Sequence, residues 1–324
     1  MRQIVAVGPE TAVRAHVERY DRFDDAAIAG LVGVSEACAD GIGAPRYESV
    51  SDALRETDAD GVDVCGPGAV HGDALREALD AGVPARCDPP FALDGDAFDG
   101  LVSLASDGEG WLTAYSPHRF SRLYDRLRTD VDAGAIGSIG VARIKRTAPF
   151  DGAGWNSSYA GISAAADPVD ALCAVLAHDA DVLEWTFGAV ERVFARARSG
   201  GRYDHVHAMF AFREGGRATI ETTWSDEWTP EPRVDVEYSG NQGRLHFDEH
   251  DTLTALRNGG DHGQVAPPGD DCRGGALRAF LERIEGEERP PSAVDPEGPS
   301  RAVVAVRRSV AEGRPVTLTE EGSR

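Results

Sequence analysis

Residues 62–93 read VDVCGPGAVHGDALREALDAGVPARCDPPFAL, and this stretch decides the fold. An apolar run ends at Cys65, a Gly-Pro-Gly turn follows, residues 73–81 have helical spacing, and a second apolar run ends at Cys87. A strand, a turn, a helix and a further strand in this order are typical of a βαβ unit. The stretch therefore predicts a parallel sheet with helices on its faces.

The same alternation of strands and helices runs through the first third of the chain. Its predicted strands are Ile4–Val7, Ile28–Val34, Gly61–Cys65, Val83–Cys87 and Trp111–Ala114. This succession predicts a doubly wound α/β sheet of the Rossmann type, which binds nucleotides at the carboxyl ends of its strands. We assign residues 1–120 to this dinucleotide-binding domain.

Residues 121–324 are predicted to form a second, α+β domain. Helical spacing occurs at 121–133, 168–187, 275–285 and 299–312, and period-two alternation marks strands at 191–197, 205–212, 217–224, 233–238 and 244–247. Short Gly-rich turns between these strands predict a large antiparallel meander with one face on helices. We expect the open face to form a homo-oligomer, a dimer or a tetramer. Residues 257–273 are predicted to be a flexible loop, and Pro315–Leu318 an edge strand.

Acidic residues dominate the composition. The chain has 55 Asp and Glu residues against 33 Lys and Arg, a net charge of −22, and Lys145 is its only lysine. Nucleic acids and anionic membranes bind positive surfaces, so both are excluded as partners and a small-molecule substrate is expected. Acid spread along a whole chain is typical of halophilic proteins, whose carboxylates hold water and cations.

The cysteines and histidines do not have the spacing of a disulfide framework or a metal site. The cysteines are five, an odd number, without a Cys-x-x-Cys pair. His71, His118 and His178, with Asp179, lack metal-ligand spacing, so no metal is predicted. Neither a signal peptide nor an apolar run of membrane-spanning length is found, and a cytoplasmic location is expected.

Five stretches in register resemble the Gfo/Idh/MocA family of nicotinamide-dependent oxidoreductases, over nearly the whole chain. They are the N-terminal strand and turn IVAVGPETAVRAHVERY, CGPGAVHGDALREALDAG, CDPPFAL, AHDADVLEWTFG, and the C-terminal helix pair with its final strand. The resemblance implies a Rossmann domain, a C-terminal α+β domain, and oxidation of a sugar, polyol or related hydroxylated compound with NAD or NADP.

The cofactor positions fit this family pattern in part. A dinucleotide turn needs three glycines; Gly8 supplies the first, whereas Glu10 and Val13 stand at the second and third. Ser35 and Glu36 follow the second strand, where a carboxylate binds the ribose in NAD-dependent proteins. The resemblance adds Pro67, His71 and Asp88 as cofactor-binding residues. NAD, NADP and no cofactor all stay open.

The catalytic positions depart further from the family. The resemblance makes His178 the general base that removes the substrate's hydroxyl proton. Its partner aspartate, one helical turn earlier, is replaced by Ala174, and the family's catalytic lysine by Pro89. Tyr115, His118 and Arg119 follow the fifth strand and are candidate substrate contacts.

Two functions therefore follow from the sequence. The first is an NAD(P)-dependent oxidoreductase that uses His178 as its base, with Tyr115, His118 or Arg119 in the electrostatic role of the lysine. The alternative is a non-catalytic homologue with a degenerate site, a ligand-binding or partner subunit that has lost the catalytic Lys and Asp. Proline cannot carry charge or donate a hydrogen bond, which favours the alternative on chemical grounds.

Overall fold

The computed structural model describes residues 1–114, 116–149, 167–200, 203–225, 233–248, 253–257, 262–265, 271–287 and 297–318. The chain divides into two compact units. Residues 1–117 and 272–300 form the first unit, and residues 118–271 and 301–324 form the second. The first unit is thus built from two separate parts of the chain.

Helices alternate with strands early in the chain, and long strands dominate its later part. The helices are α1 (Glu10–Tyr20), α2 (Glu36–Ile42), α3 (Val50–Glu56), α4 (Gly72–Asp80), α5 (Gly95–Asp107), α6 (Arg122–Asp132), α7 (Pro168–Phe187), α8 (Cys272–Ile284) and α9 (Gly298–Glu312), with short 3-10 turns at Gly68–Val70 and Pro117–Phe120. The strands are β1 (Arg2–Val7), β2 (Ala26–Val32), β3 (Arg46–Tyr47), β4 (Gly61–Pro67), β5 (Ala85–Asp88), β6 (Leu112–Thr113), β7 (Ile139–Ala148), β8 (Val190–Gly200), β9 (Tyr203–Phe212), β10 (Arg217–Ser225), β11 (Arg233–Gly240), β12 (Gly243–Asp248), β13 (Leu253–Arg257), β14 (His262–Val265) and β15 (Val316–Thr317).

The first unit contains a six-stranded sheet in the order β3-β2-β1-β4-β5-β6. Every neighbouring pair is parallel, which confirms the predicted doubly wound sheet. The order reverses between β1 and β4, and ligands of such sheets bind at the carboxyl ends of the strands flanking this point. All residues of β4 are buried, as expected for a strand covered on both faces.

Helix α8 packs against the first sheet although it follows the second unit in sequence. Its side chains Leu277, Phe280 and Leu281 form one apolar cluster with Ile4 and Tyr20. At the surface, the guanidinium of Arg278 donates to both oxygens of Asp25, at 2.6 and 2.8 Å. The helix therefore completes the core of the first unit.

The second unit contains a nine-stranded sheet in the order β14-β13-β12-β11-β7-β10-β9-β8-β15. Its pairs are antiparallel except β7 with β10, which confirms a mainly antiparallel sheet. A simple meander is wrong, because β7 lies between β10 and β11. The edge position of β15 is confirmed. Residues 257–273, predicted as a loop, include β14, which pairs with β13.

Helix α7 covers one face of this sheet against β8, β9 and β10. Its residues Ala171–Leu183 are all buried, including His178, Asp179 and Asp181. Asp167 caps its N-terminus by accepting from the Val169 N–H at 2.8 Å, and Pro168 follows at the first helical position. Polar residues are therefore fixed at defined places inside the second unit.

None of the helices in the described parts of the chain combines the length and the apolar character that crossing a bilayer requires.

Candidate functional site

The β1–α1 turn approaches the start of the β2–α2 loop closely. Gly8 has a φ of +144°, and a Cβ there would lie 3.3 Å from the Cys65 carbonyl oxygen. The Gly8 N–H donates to Val32 O at 3.1 Å. A Cβ on Gly33, whose φ is +83°, would lie 3.0 Å from Gly8 O. Gly8 thus meets the requirement of the first turn glycine, and Gly33 serves the same close approach.

Glu10 directs its carboxylate to the end of β2. Its Oε1 accepts from the backbone N–H of Ser35 at 2.9 Å. Hydrogen bonds from the side chain and backbone of Ser35 lower the pKa of Glu10, so this carboxylate is charged at neutral pH. Ser35 itself caps α2, since its Oγ accepts from the Cys38 N–H at 3.2 Å. Glu36 is exposed in the first turn of α2.

The sequence pattern did not predict the cation on β3 near this site. Arg46 donates from Nε to Val34 O at 2.9 Å and pairs with Glu48 at 2.7 Å. A two-residue strand gives too short a pattern to be recognised, so nothing in the sequence placed Arg46 beside the end of β2.

Pro67 and His71 follow β4 at the carboxyl edge of the sheet. Pro67 is buried and precedes the 3-10 turn of Gly68–Val70. His71 is half-buried where α4 begins, and burial lowers the pKa of its imidazole, so the ring is neutral at pH 7. A neutral imidazole can donate or accept a hydrogen bond without charge.

Asp88 belongs to a buried network of charged side chains. Arg86 donates from Nη1 to Asp63 Oδ1 at 2.8 Å and from Nη2 to Asp88 Oδ1 at 2.5 Å. Arg273 on α8 donates to Asp88 Oδ2 at 2.7 Å and lies 3.0 Å from His16 Nε2. His16 Nδ1 is 2.8 Å from Asp63 Oδ2, which closes the ring. Asp88 is fully buried, and both its oxygens are bound by arginines.

The buried network includes three side chains that could bind a metal ion: His16, Asp63 and Cys65. Among the described residues, the atoms of this group that could act as metal ligands lie within 4.8 Å of one another. The guanidinium of Arg86 on the Asp63 carboxylate opposes a cation by Coulomb repulsion. Burial also raises the pKa of the Cys65 thiol well above its usual value, which disfavours a thiolate ligand.

Cys87 and Pro89 on either side of Asp88 are buried as well. The Cys87 Sγ packs on Gly68, where a Cβ would come within 2.6 Å of it. Burial raises the pKa of the Cys87 thiol well above its usual value, so the group acts as a small apolar side chain. Neither residue offers a charged group.

In the second unit, two imidazoles lie close together. The ring centroids of His118 and His178 are 5.7 Å apart, at an interplanar angle of 62°. His118 is half-buried and stacks on Tyr124, with centroids 5.0 Å apart. His178 projects from the middle of α7 and is 5% exposed. The structure thus brings together two of the predicted site residues.

Arg146 on β7 lies beside this pair and binds Asp179. Its Nε donates to the two Asp179 oxygens at 2.9 and 2.7 Å, and its Nη2 donates to Oδ1 at 2.7 Å. The same Nη2 donates to Tyr124 Oη at 2.9 Å and lies 3.4 Å from His118 Nε2. Burial raises the pKa of Asp179, and the Arg146 charge opposes that rise.

Two of the remaining polar candidates in the second unit form ion pairs with other side chains. Arg119 is buried and donates to Asp181 from Nε at 2.8 Å and from Nη2 at 2.5 Å. Asp170, two helical turns before His178, pairs with Arg307 at 2.6 Å. Ala174, one turn before His178, is buried. Tyr115 lies outside the described residues.

Two family profiles match this chain. Residues 3–114 match the oxidoreductase family with an NAD-binding Rossmann fold, and residues 124–246 match the GFO/IDH/MocA C-terminal domain. The chain belongs to the Gfo/Idh/MocA family. The resemblance stated from the sequence is therefore confirmed at the level of the family.

Curated relatives within the Gfo/Idh/MocA family are distant in sequence. Myo-inositol 2-dehydrogenase of Thermotoga maritima is 22% identical, over 94% of this chain and 95% of that protein. Inositol 2-dehydrogenase of Renibacterium salmoninarum is 25% identical over 42% of this chain, and the chain spans only 43% of that relative's length.

Solved structures share the fold. A biliverdin reductase from Synechocystis, in complex with biliverdin and NADP+, has a TM-score of 0.79 at 19% identity, covering 95% of this chain and 99% of that one. An oxidoreductase from Agrobacterium radiobacter, in complex with NAD+, L-tartaric acid and magnesium, has a TM-score of 0.77 at 17% identity, covering 98% of each chain. At these identities the likeness concerns the fold.

The two positions where the resemblance puts a catalytic lysine and its partner aspartate carry uncharged residues in this chain. The lysine position is the buried Pro89, and the aspartate position is the buried Ala174. The second unit has a buried cation, Arg146, beside His118. Sequence reasoning missed Arg146 because a charged residue at a buried strand position interrupts the alternation that marks a strand.

Proposed function

We propose that this protein is an NAD(P)-dependent oxidoreductase that oxidises a hydroxylated carbon of a sugar, polyol or related small molecule. The observation that carries the proposal is the pair of imidazoles, His118 and His178, 5.7 Å apart beside the buried Arg146–Asp179 ion pair. Such a group of titratable side chains next to a fixed charge is typical of a proton-transfer site. The inositol dehydrogenases among the relatives support a polyol as substrate.

The residues of the first unit fit a dinucleotide. Gly8 permits the tight turn, and the N-terminus of α1 presents backbone N–H groups that suit a pyrophosphate. The Glu10 carboxylate is directed to Ser35, so the acid at the second glycine position has a hydrogen-bonding partner of its own. Gly8, Ser35, Glu36, Pro67 and His71 are the residues that would hold the cofactor. Asp88 is buried with both oxygens bound by arginines, so it would act by holding the neighbouring backbone in position.

The second unit supplies the group that accepts the substrate's hydroxyl proton. When bound, a nicotinamide ring accepts the hydride that leaves the hydroxylated carbon. His178 accepts the hydroxyl proton as that hydride departs, which keeps the reaction balanced in charge. Position 174, occupied by the buried Ala174, provides no carboxylate to orient the ring.

His118 is proposed to assist at the developing alkoxide. The Arg146 guanidinium is always protonated, and its Nη2 lies 3.4 Å from His118 Nε2. A ring N–H of His118 can donate to an oxyanion. In this scheme the Arg146 charge and the His118 ring take the electrostatic role of the missing lysine, with Tyr115 as a further substrate contact. The contact of Arg119 is with Asp181, which indicates a positioning role.

The non-catalytic alternative is favoured by one specific observation. Pro89, at the position of the family's lysine, is buried. The neighbouring Asp88 is already bound by two arginines, so no residue of this segment takes over the positive charge of the lysine. Under this alternative the site is degenerate, and the two units serve as a ligand-binding or partner subunit.

Adaptation to high salt is part of the proposal and is supported by the net charge of −22. A homo-oligomer formed through the open face of the nine-stranded sheet, a cytoplasmic location, and the exclusion of nucleic acid and membrane as partners stay predictions.

The experiment assays the purified protein in concentrated KCl with NAD+ and NADP+ against a panel of inositols, polyols and sugars. His178→Asn should lower kcat about 100-fold or more, the usual contribution of a general base. The matched control is His207→Asn, a half-buried histidine on β9. Binding of NADH and NADPH is measured separately by calorimetry. Cofactor binding without turnover of any panel member would favour the alternative, and no binding of either nucleotide would remove the proposed function.

A further inference from the structure

Glu10 stands where a dinucleotide turn ordinarily has its second glycine, yet its carboxylate is at the end of β2. We propose that Glu10 is the residue that selects NAD over NADP: its carboxylate binds the adenosine ribose hydroxyls and repels a 2′-phosphate. This inference rests on the proposed function, because it assumes that a dinucleotide binds at the β1–α1 turn.

The geometry of two loops brings a side chain of α1 to the end of another strand. The Gly8 N–H donates to Val32 O at 3.1 Å, and the backbone of Gly33 packs against Gly8 O with no room for a side chain. With the two loops this close, Glu10 reaches the Ser35 N–H at 2.9 Å. That hydrogen bond holds the solvent-exposed carboxylate at this position.

The place it occupies is the one where the ribose is recognised in this fold. Doubly wound dinucleotide domains bind the ribose 2′-hydroxyl with a carboxylate just after the second strand. Here Ser35 caps α2 with its own Oγ. The Glu10 carboxylate accepts from Ser35 through Oε1 and retains further lone pairs, so it can accept from hydroxyls as well. The acid is thus supplied by the first helix rather than by the second strand.

The negative charge of Glu10 gives the selectivity for NAD over NADP. Hydrogen bonds from Ser35 keep the Glu10 carboxylate ionised, so a 2′-phosphate would meet a like charge. Two arginines of this region, Arg46 on β3 and Arg14 on α1, interact with acids. Arg46 is 37% exposed and paired with Glu48 at 2.7 Å, and the charge of Arg14, one turn along α1, lowers the pKa of Glu10 itself.

The test measures the dissociation constants of NADH and NADPH by calorimetry, without turnover. KCl is held at the lowest concentration at which circular dichroism shows a folded protein, because salt screens the charge under test. Wild type should bind NADH at least about tenfold more tightly than NADPH. Glu10→Gln keeps an acceptor for Ser35 but removes the charge, and should lower this preference about tenfold. Glu18→Gln, at an exposed acid two turns further along α1, is the matched control and should leave the preference within about twofold.

Three outcomes would overturn the assignment: an unchanged preference in Glu10→Gln, an equal or larger shift in Glu18→Gln, or a wild-type protein that prefers NADPH. A wild type that binds neither nucleotide would remove both the assignment and the proposed function. Glu10→Ala separates the two roles of the residue. If Glu10→Ala and Glu10→Gln change the preference equally, the effect is due to the charge and not to the hydrogen bond with Ser35.

Discussion

Arg146 and Asp179 form a buried ion pair in which the guanidinium makes three hydrogen bonds to the carboxylate, at 2.7 to 2.9 Å. The residues are 33 positions apart and join β7 to α7. The same guanidinium donates to Tyr124. This pair therefore fixes the strand, the helix and the aromatic ring on which His118 stacks.

Breaking this pair from one side should destabilise the protein strongly. Asp179→Asn leaves the Arg146 charge buried without a counter-ion, and we expect the free energy of unfolding to fall by about 3–5 kcal/mol. Urea denaturation at constant KCl measures the change. Asp235→Asn, at a side chain that is 50% exposed, is the control and should cost less than about 1 kcal/mol. Equal losses in the two variants would mean that the buried pair has no special role.

The carboxyl of Asp63 should titrate at unusually low pH. Burial alone would raise the pKa of Asp63, but the charges and hydrogen bonds of His16 and Arg86 outweigh burial and hold the pKa at about 2. Because the folded pKa lies below the unfolded value of about 4, the stabilisation is present above about pH 4 and is lost as the pH falls through the folded pKa. The difference corresponds to about 2 kcal/mol.

Carbon-13 NMR of the labelled Asp63 carboxyl, followed from about pH 5 downward, measures this pKa directly. The exposed Asp94, at the start of α5, gives an internal comparison within the same spectra. A midpoint for Asp63 near the ordinary value of about 4 would contradict the charged network around it.

Returning a carboxylate to α7 should improve proton transfer. Ala174 lies one turn before His178, so Ala174→Asp places an acid on the same face of the helix. We expect kcat to rise about tenfold, from a base that is better oriented and more basic. Ala177→Asp, equally buried but on another face, is the control for the cost of a buried acid. A gain in Ala177→Asp, or none in Ala174→Asp, would argue against His178 as the base.

Stability should depend strongly on salt. With a net charge of −22, the folded chain repels itself, and added salt screens this repulsion over about 3 Å at 1 M against about 10 Å at 0.1 M. We expect Tm to rise by about 10 °C or more between about 0.1 and 2 M KCl, in line with a gain of several kcal/mol for a chain of this size. Sucrose at matched water activity separates screening from solute exclusion. A Tm that does not respond to KCl would remove the halophilic interpretation.

Patterns within a single element predicted most of the fold. The alternation of the first third predicted the parallel sheet, and α7 was predicted with the bounds that the structure has, because Asp167, Pro168 and Gly188 mark its ends. Strand β7 was missed because Arg146 occupies a buried position, where its charge is neutralised by Asp179 from a distant helix. No local pattern contains that partner.

The candidate site was predictable to the extent that it follows family positions. Gly8, His71 and His178 were predicted in this way, and His118 was predicted from its position just after the fifth strand. Contacts between distant positions were not: Glu10 reaches Ser35 across 25 positions, and Arg273 reaches Asp88 across 185. These contacts depend on which strands are neighbours and on where α8 packs, and neither is encoded in spacing along the chain.

The position of α8 has a consequence for biosynthesis. His16 and Arg273 lie 257 positions apart, so the first unit lacks α8 until the intervening part of the chain has been translated. We expect nascent chains halted before residue 272 to be cut by protease within residues 1–117, and chains released past residue 300 to resist. Each unit would thus be completed only after part of the other has been synthesised.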